Sequence, residues 1–313
     1  MKKYVAAFSA ALAVTAMSMG PAVAEYPEKP VEFVIPWPPG DLEDVLTRMI
    51  AKKFEEMYGS PAGVLNKPGG GGGPFPGAIS VATAPADGYT IGSFVIGVPV
   101  VGPNIGIPEL SPNPFEPVGI FLTYPFVVAS LKTQPYSDWA SLAEHAKSNK
   151  VTLGHFGAPT IPTRVTKALA KGAGFTFGSD AGFDNLDCNT LASGDADVIN
   201  TTLQLVLPCL DKLNVLTSFT EQRITLTPDT PTQSEINPVI TVGNWNGLFV
   251  RKEVPQDVRE KIAKAAMAAL DTPEAKKIAE TTGAHIYWKD AAESQAVIDA
   301  DIKALAVVNK MIE

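Results

Sequence analysis

The sequence predicts an α/β protein made of two mostly parallel sheets, each flanked by helices. Three observations predict it. Short apolar, β-branched runs alternate with helix-patterned runs along most of the chain, the pattern of strand–helix–strand units. The chain has 313 residues, room for one large or two medium domains, and this many strand runs suits two sheets better than one. Proline-rich connectors at 102–117 and 225–238 read as surface excursions near possible boundaries.

The first 24 residues stand apart. Lys2 and Lys3 precede the short apolar stretch "YVAAFSAALAVTAMSMG", and Ala22, Val23 and Ala24 stand before Glu25. A basic start, an apolar centre and small residues at a cleavage point make a secretory signal peptide, with a membrane anchor as the alternative. The stretch is short for a bilayer span, and no later segment is apolar enough for one. Without a lipobox cysteine, a free protein outside the cytoplasm is expected.

"VEFVIP" (31–36) is a strand. From Leu42, an apolar stripe of Leu42, Val45, Leu46, Met49, Ile50, Phe54 and Met57 marks a helix that Gly59 closes. "YTIGSFVIG" (89–97) and "FVVASL" (126–131) are strands, and "SDWASLAEHAKSN" (137–149) is a helix with Ser137 at its N-cap. "VTLGHFG" returns to strand, and the helix at 162–174 begins on Pro162, a residue suited to a first turn. "ADVINTT" (196–202) and "NWNGLFV" (244–250) are strands, while 254–270 and 291–312 are helical.

Charge and cysteines narrow the function classes. Without Lys2 and Lys3 the chain has 23 basic against 33 acidic residues, a formal charge of −10, which disfavours nucleic acid and anionic lipid as partners. Cys188 and Cys209 are expected to be bridged in an oxidising compartment, with two buried thiols as the alternative. Neither lies in a metal-ligand spacing, and the histidines His145, His155 and His285 are scattered, so neither a metal nor a cofactor is expected. The polyglycine run at 69–77 lacks the G-x-G-x-x-G spacing and a following GK[ST]. It reads either as a flexible connector or as backbone able to approach something closely. No G-x-S-x-G or HExxH motif is present.

Two corners carry the functional reading. In "PWPPGDLEDVLTR", Pro36, Pro38 and Pro39 end a strand, Gly40 permits the turn, and Asp41, Glu43 and Asp44 crowd a helix start. Three acids there can simply cap a helix. The same place, beyond the carboxyl end of a strand, is also where open α/β sheets hold ligands. "LGHFGAPTIPTRV" (153–165) repeats the device, with Thr160, Thr163 and Arg164 at or near the second helix start. Arg164 is the one cation there, suited to a carboxylate or else an ordinary surface arginine.

Taken in order, "YPEKPVEFVIPWPPG", "DVLTR", "NKPGGGGG", "APADGYTIG", "GDADV" and "WNGLFV" resemble the solute-binding receptors of tripartite tricarboxylate transporters, the Bug receptors, from Tyr26 nearly to the C-terminus. The resemblance implies a two-domain flytrap fold of the periplasmic-binding-protein kind with crossing strands. Residues 25–125 and 243–313 would form domain 1, and 126–242 domain 2. It implies a small organic acid as ligand and a membrane permease as partner, for a receptor expected to act as a monomer. Carried over by position, the ligand would meet Trp37, Pro39, Gly40, Asp41 and Asp44 on one side. On the other it would meet His155, Phe156, Gly157, Ala158, Thr160, Thr163 and Arg164, with Asn200, Thr201 and Thr202 at a strand end. The first corner departs from the family by placing Asp41 and Glu43 where more glycine and a small polar residue are usual. The second places Arg164 where the family usually has histidine. These departures point to a zwitterion or an aromatic or hydroxylated acid, with Trp37 or Phe156 as an apolar wall. A secreted hydrolase with a spatially assembled catalytic site is the rival reading.

Overall fold

The computed structural model describes residues 25–313, so the leader read from residues 1–24 lies outside the described residues. In chain order the strands are β1 (Val31–Ile35), β2 (Ala62–Asn66), β3 (Thr90–Val95), β4 (Phe115–Thr123), β5 (Phe126–Leu131), β6 (Thr152–His155), β7 (Ser179–Gly182), β8 (Val198–Thr202), β9 (Leu213–Ser218), β10 (Trp245–Arg251) and β11 (His285–Lys289). The helices are α1 (Leu42–Tyr58), α2 (Phe75–Ala82), α3 (Gly97–Val101), α4 (Trp139–Ala146), α5 (Ile161–Gly172), α6 (Cys188–Ala192), α7 (Leu203–Val206), α8 (Gln233–Ile236), α9 (Gln256–Leu270), α10 (Pro273–Thr282) and α11 (Ala291–Ile312).

The strands form two sheets, each the core of one lobe. The first has order β11-β4-β10-β3-β1-β2 and the second β7-β6-β8-β5-β9. Both are mixed rather than mostly parallel. β1 runs parallel to β2 and β3, but β10 runs antiparallel to β3 and β4, and β11 to β4. In the second sheet β6 is parallel to β7 and β8, whereas β5 is antiparallel to β8 and β9. The reason is the crossing. The chain leaves the first sheet along β4 and enters the second along β5 after only Tyr124 and Pro125. It returns along β10, which must run against the strand that left.

Phe33, Val34 and Ile35 of β1 are all fully buried, so both faces of that sheet are covered. α1 shows how local sequence sets this up. Leu42, Leu46, Ile50 and Phe54, each four residues apart, are buried to 2% exposure or less. Each such side chain contributes about 1.5–3 kcal/mol. Gly59 ends the helix at φ 71°, its N–H returning to the Glu55 carbonyl, a conformation glycine adopts freely. α4 starts one residue later than expected, because Asp138, not Ser137, forms a reciprocal capping box with Ser141. α5 starts one residue earlier, on Ile161, with Thr160 at its N-cap. Cys188 and Cys209 are joined in a disulfide that closes a loop of the second lobe and restricts its unfolded states.

Candidate functional site

At the first corner the helix-cap reading divides. Asp41 stands at the N-cap with extended backbone, yet its side chain makes no capping bond. Asp44 holds the corner instead. It accepts the Gly40 N–H at 2.9 Å, Arg48 Nε at 2.9 Å and Nη2 at 2.8 Å, and Asn66 Nδ2 at 2.9 Å. Asn66 also donates to the Trp37 carbonyl at 3.0 Å, which fixes the tryptophan. Burial opposes the charge on Asp44, but Arg48, Asn66 and the Gly40 N–H together outweigh it and hold its carboxyl below the usual range. Asp44→Ala should therefore destabilise the protein by about 1–3 kcal/mol in denaturant unfolding at neutral pH. That gap should close as pH falls through the lowered pKa, where wild type loses the same charge.

Asp41 and Glu43 are turned into the gap between the lobes, where both line a narrow cavity. Burial pushes Asp41 up to about 7, with the Asp44 charge adding to it. Burial, and then the Asp41 charge, drive Glu43 well above the ordinary glutamate value, against some relief from its own N–H. Glu43 is only 2% exposed. Tyr124 donates to Asn246 Oδ1 at 3.1 Å, and its N–H bonds the Asn244 carbonyl at 3.0 Å. The two segments that cross between the lobes are thus tied together at the cavity, and Tyr124 and Asn244 both line it.

The second corner is built from its own hydrogen bonds. Gly157 adopts φ 136°, and its carbonyl accepts the hydroxyls of Thr160 at 2.8 Å and Thr163 at 2.9 Å. The Gly157 N–H donates to His155 Nδ1 at 3.0 Å, which leaves Nε2 to donate to Asp180 Oδ1 at 2.8 Å. Asp180 also pairs with Lys167. Arg164 points away from the gap. Its Nε donates to the Pro159 carbonyl at 3.1 Å and its Nη1 to Asn309 Oδ1 at 2.8 Å on α11. Its guanidinium thus ties α5 of the second lobe to α11 of the first, and it is not among the cavity's lining residues.

Of the residues expected from sequence, Trp37, Asp41, Phe156, Thr160 and Thr202 meet at the cavity. Asp44, His155, Gly157 and Thr163 shape the corners from behind. Pro39 and Ala158 are exposed, and Gly40 offers its carbonyl to Gln204 Nε2 of the second lobe at 2.9 Å. Asn200 and Thr201 are buried, bonding Thr166 Oγ1 and the Leu186 carbonyl. Only Thr202, where β8 runs out, reaches the cavity. The sequence reading missed Phe75, Tyr124, Phe126 and Asn244, and weighed Glu43 as a helix-dipole acid and as a family departure without placing it among the ligand-binding residues. The proline between two apolar runs in "FLTYPFVVASL" was the available signal, since it marks a strand break at a crossing.

The wall is aromatic. Trp37 and Phe156 face each other across the lobes with ring centroids 5.5 Å apart, and Phe126 stands 6.0 Å from Phe156. No lysine, arginine or histidine lines the cavity among the described residues. Two polar atoms of its buried lining have no partner, Thr202 Oγ1 and Asn244 Nδ2.

The glycine loop before α2 sits against the opposite lobe. Gly71 N–H donates to Asp184 Oδ1 at 2.8 Å. A β-carbon on Gly182 would lie 2.5 Å from the Gly71 carbonyl oxygen, and one on Gly157 2.9 Å from the Gly73 nitrogen. The run is therefore a surface of contact between lobes, which glycine permits because it has no side chain.

The model of the tripartite tricarboxylate transporter family receptor matches residues 46–312. A UPF0065 protein of Agrobacterium vitis is 28% identical over 268 residues, 79% of this chain and 73% of its own length. Among solved structures, one described as a periplasmic transporter superposes with a TM-score of 0.81 at 26% identity, covering 91% of this chain and 98% of its own. The periplasmic binding protein BugD superposes with a TM-score of 0.73 at 25% identity, covering 92% and 95%. With a cleft between two mixed-sheet lobes and a family match over most of its length, the chain belongs to the tripartite tricarboxylate transporter receptors, which are solute-binding proteins.

Proposed function

We propose that this protein is a periplasmic receptor that captures a small carboxyl-bearing metabolite between its lobes, residues 25–125 with 243–313 and residues 126–242. It hands that solute to the large and small membrane subunits of a tripartite permease, acting as a monomer and without altering the solute chemically. The observation that carries the reading is the cavity, which takes its walls from both lobes and its floor from the crossing segments. A solute seated there bridges the lobes and favours the closed arrangement that a permease can recognise.

The start of α5 supplies the anion-binding element. The first N–H groups of a helix have no partner within it; in the first turn of α5 Pro162 carries none, so Ile161 and Thr163 supply them, and the side chain of Thr160 does not cap them. They point toward negative charge at the positive end of the helix dipole. The hydrolase alternative finds no support in the lining, which among the described residues includes no serine, cysteine or histidine. His155, the histidine nearest the cleft in sequence, is already engaged by Gly157 and Asp180.

A thermal-shift screen over organic acids, aromatic acids and amino acids tests the reading. At least one compound should raise the melting temperature in proportion to the logarithm of its concentration, and mass spectrometry should recover it unchanged. A screen without stabilisation, or a compound recovered as product, would sink the proposal.

A further inference from the structure

We infer that the group this cleft holds against the start of α1 is a cation, so that its solute is a zwitterionic acid with an ammonium at one end and a carboxylate at the other. The inference rests on the receptor reading above and adds the chemistry of the solute.

The acidic wall is the first reason. Asp41 and Glu43 both line the cavity, and among the described residues no side-chain cation does. The nearest one in sequence, Arg48, lies behind the wall in a two-point pair with Asp44. A solute carrying only negative charge would bring its carboxylate toward two carboxyl groups with nothing to offset it. A protonated amine or quaternary ammonium meets those carboxyls as counter-ions.

The ring faces are the second reason. Trp37, Phe75, Tyr124, Phe126 and Phe156 share the cavity with the two acids. Aromatic rings attract a cation by their quadrupole, most strongly where water is excluded. Neutral apolar groups would also fit such rings, but they would leave Asp41 and Glu43 buried without a partner.

The third observation is independent of the acids. Thr202 Oγ1 and Asn244 Nδ2 lack any partner, although their residues are only 7% and 4% exposed and line the same cavity. Buried polar groups are ordinarily paired, so these two await a ligand. A hydroxyl, a side-chain amide and the N–H groups of Ile161 and Thr163 at the start of α5 are the donors a carboxylate needs. The cavity therefore offers acceptors and ring faces from one side and donors from the other.

The titration of the wall supplies a signature. Burial pushes both carboxyls up, Asp41 to about 7 and Glu43 well above the ordinary glutamate value. The groups facing them are Asp44 with Arg48 on the same helix and Tyr124 from the crossing segment; the second lobe contributes no titratable side chain to the lining. A cation seated there favours the ionised carboxyls, so its binding releases protons and tightens as pH rises. An anion alone has the opposite dependence.

Calorimetry on the full mature chain with shape-matched pairs decides the matter. The pairs are glycine betaine with 3,3-dimethylbutyrate, 4-(trimethylammonio)butyrate with 5,5-dimethylhexanoate, and phenylalanine with 3-phenylpropionate. Within each pair the ammonium is replaced by a carbon centre or by hydrogen, so that the positive charge is the chief difference. The zwitterion of at least one pair should bind about tenfold or more tightly than its partner, and more tightly at about pH 8 than at about pH 6. Glu43→Gln should erase most of that preference, and Asp41→Asn, at a less buried position, should erase part of it. Circular dichroism would show that both variants are folded. Equal or tighter binding of the nitrogen-free partner overturns the inference and leaves the receptor reading intact. So does binding confined to simple organic acids from the wider screen. Failure of every compound in both sets overturns the receptor reading as well.

Discussion

Gly182→Ala should weaken solute capture by about tenfold to a hundredfold while leaving each lobe folded. The added β-carbon would lie 2.5 Å from the carbonyl oxygen of Gly71 and within 3.5 Å of its carbon and α-carbon. All three atoms are backbone, so no side-chain rotation relieves the clash. Gly182 stands at the exposed end of β7 with no left-handed backbone, so alanine adds no strain within its own lobe. The overlap arises only when the lobes meet. Overpacking of this kind costs about 1–3 kcal/mol, and each 1.4 kcal/mol is about tenfold in affinity. Calorimetry with whichever solute the screen identifies, together with small-angle scattering, measures both consequences: weaker binding and a larger radius of gyration. Gly63→Ala in β2, where nothing lies within 4 Å, is the control and should bind as wild type does. A Gly182→Ala protein with wild-type affinity and dimensions would show that the glycine loop plays no part in closure.

Glu43→Gln should stabilise the empty protein, by about 1–3 kcal/mol at mildly alkaline pH. Burial raises the Glu43 pKa well above that of a free glutamate. Between those two values the unfolded chain has released its proton and the folded chain keeps it. Folding then takes up a proton, and stability falls as pH rises. Glutamine has the same shape and no such liability. Urea melts of both proteins across acid to alkaline pH should coincide below the free glutamate pKa and diverge above it, with the variant the more stable. Parallel curves would mean that Glu43 is not buried in its ionisable form. Asp41, raised to about 7, contributes a fall of the same sign between the free aspartate pKa and about 7, and that fall persists in the variant. A wall that destabilises the empty molecule and welcomes a cation exchanges stability for binding, as functional sites commonly do.

Much of the framework was legible because it is local. The four-residue spacing of Leu42, Leu46, Ile50 and Phe54, with Gly59 after them, determines α1 before any tertiary contact forms. β4 was not legible as a strand. Pro117 and Gly119 interrupt "FEPVGIFLT", and the segment is held in the sheet by β10 and β11, which lie more than a hundred residues away. The same holds for β2, whose AGVLN has no alternation and is ordered by pairing with β1. Parallel order was expected throughout because strand–helix alternation suggests it, but it cannot reveal a chain that crosses to another sheet and returns.

The divided site follows the same line. Residue order alone placed two proline–glycine bends at strand ends, put three carboxyls at the first of them, and carried motifs shared with a receptor family. Those properties are set by neighbours within a few positions. Only the folded molecule decided which carboxyl holds the bend and which face the gap, since Asp44 finds Arg48 one turn on but also Asn66 from β2. It likewise sent Arg164 to Asn309 on the last helix, and brought Tyr124 and Asn244, far apart in the chain, onto one floor. Hydrogen-bond partners and burial depend on distances between segments, and a one-dimensional string records none of them.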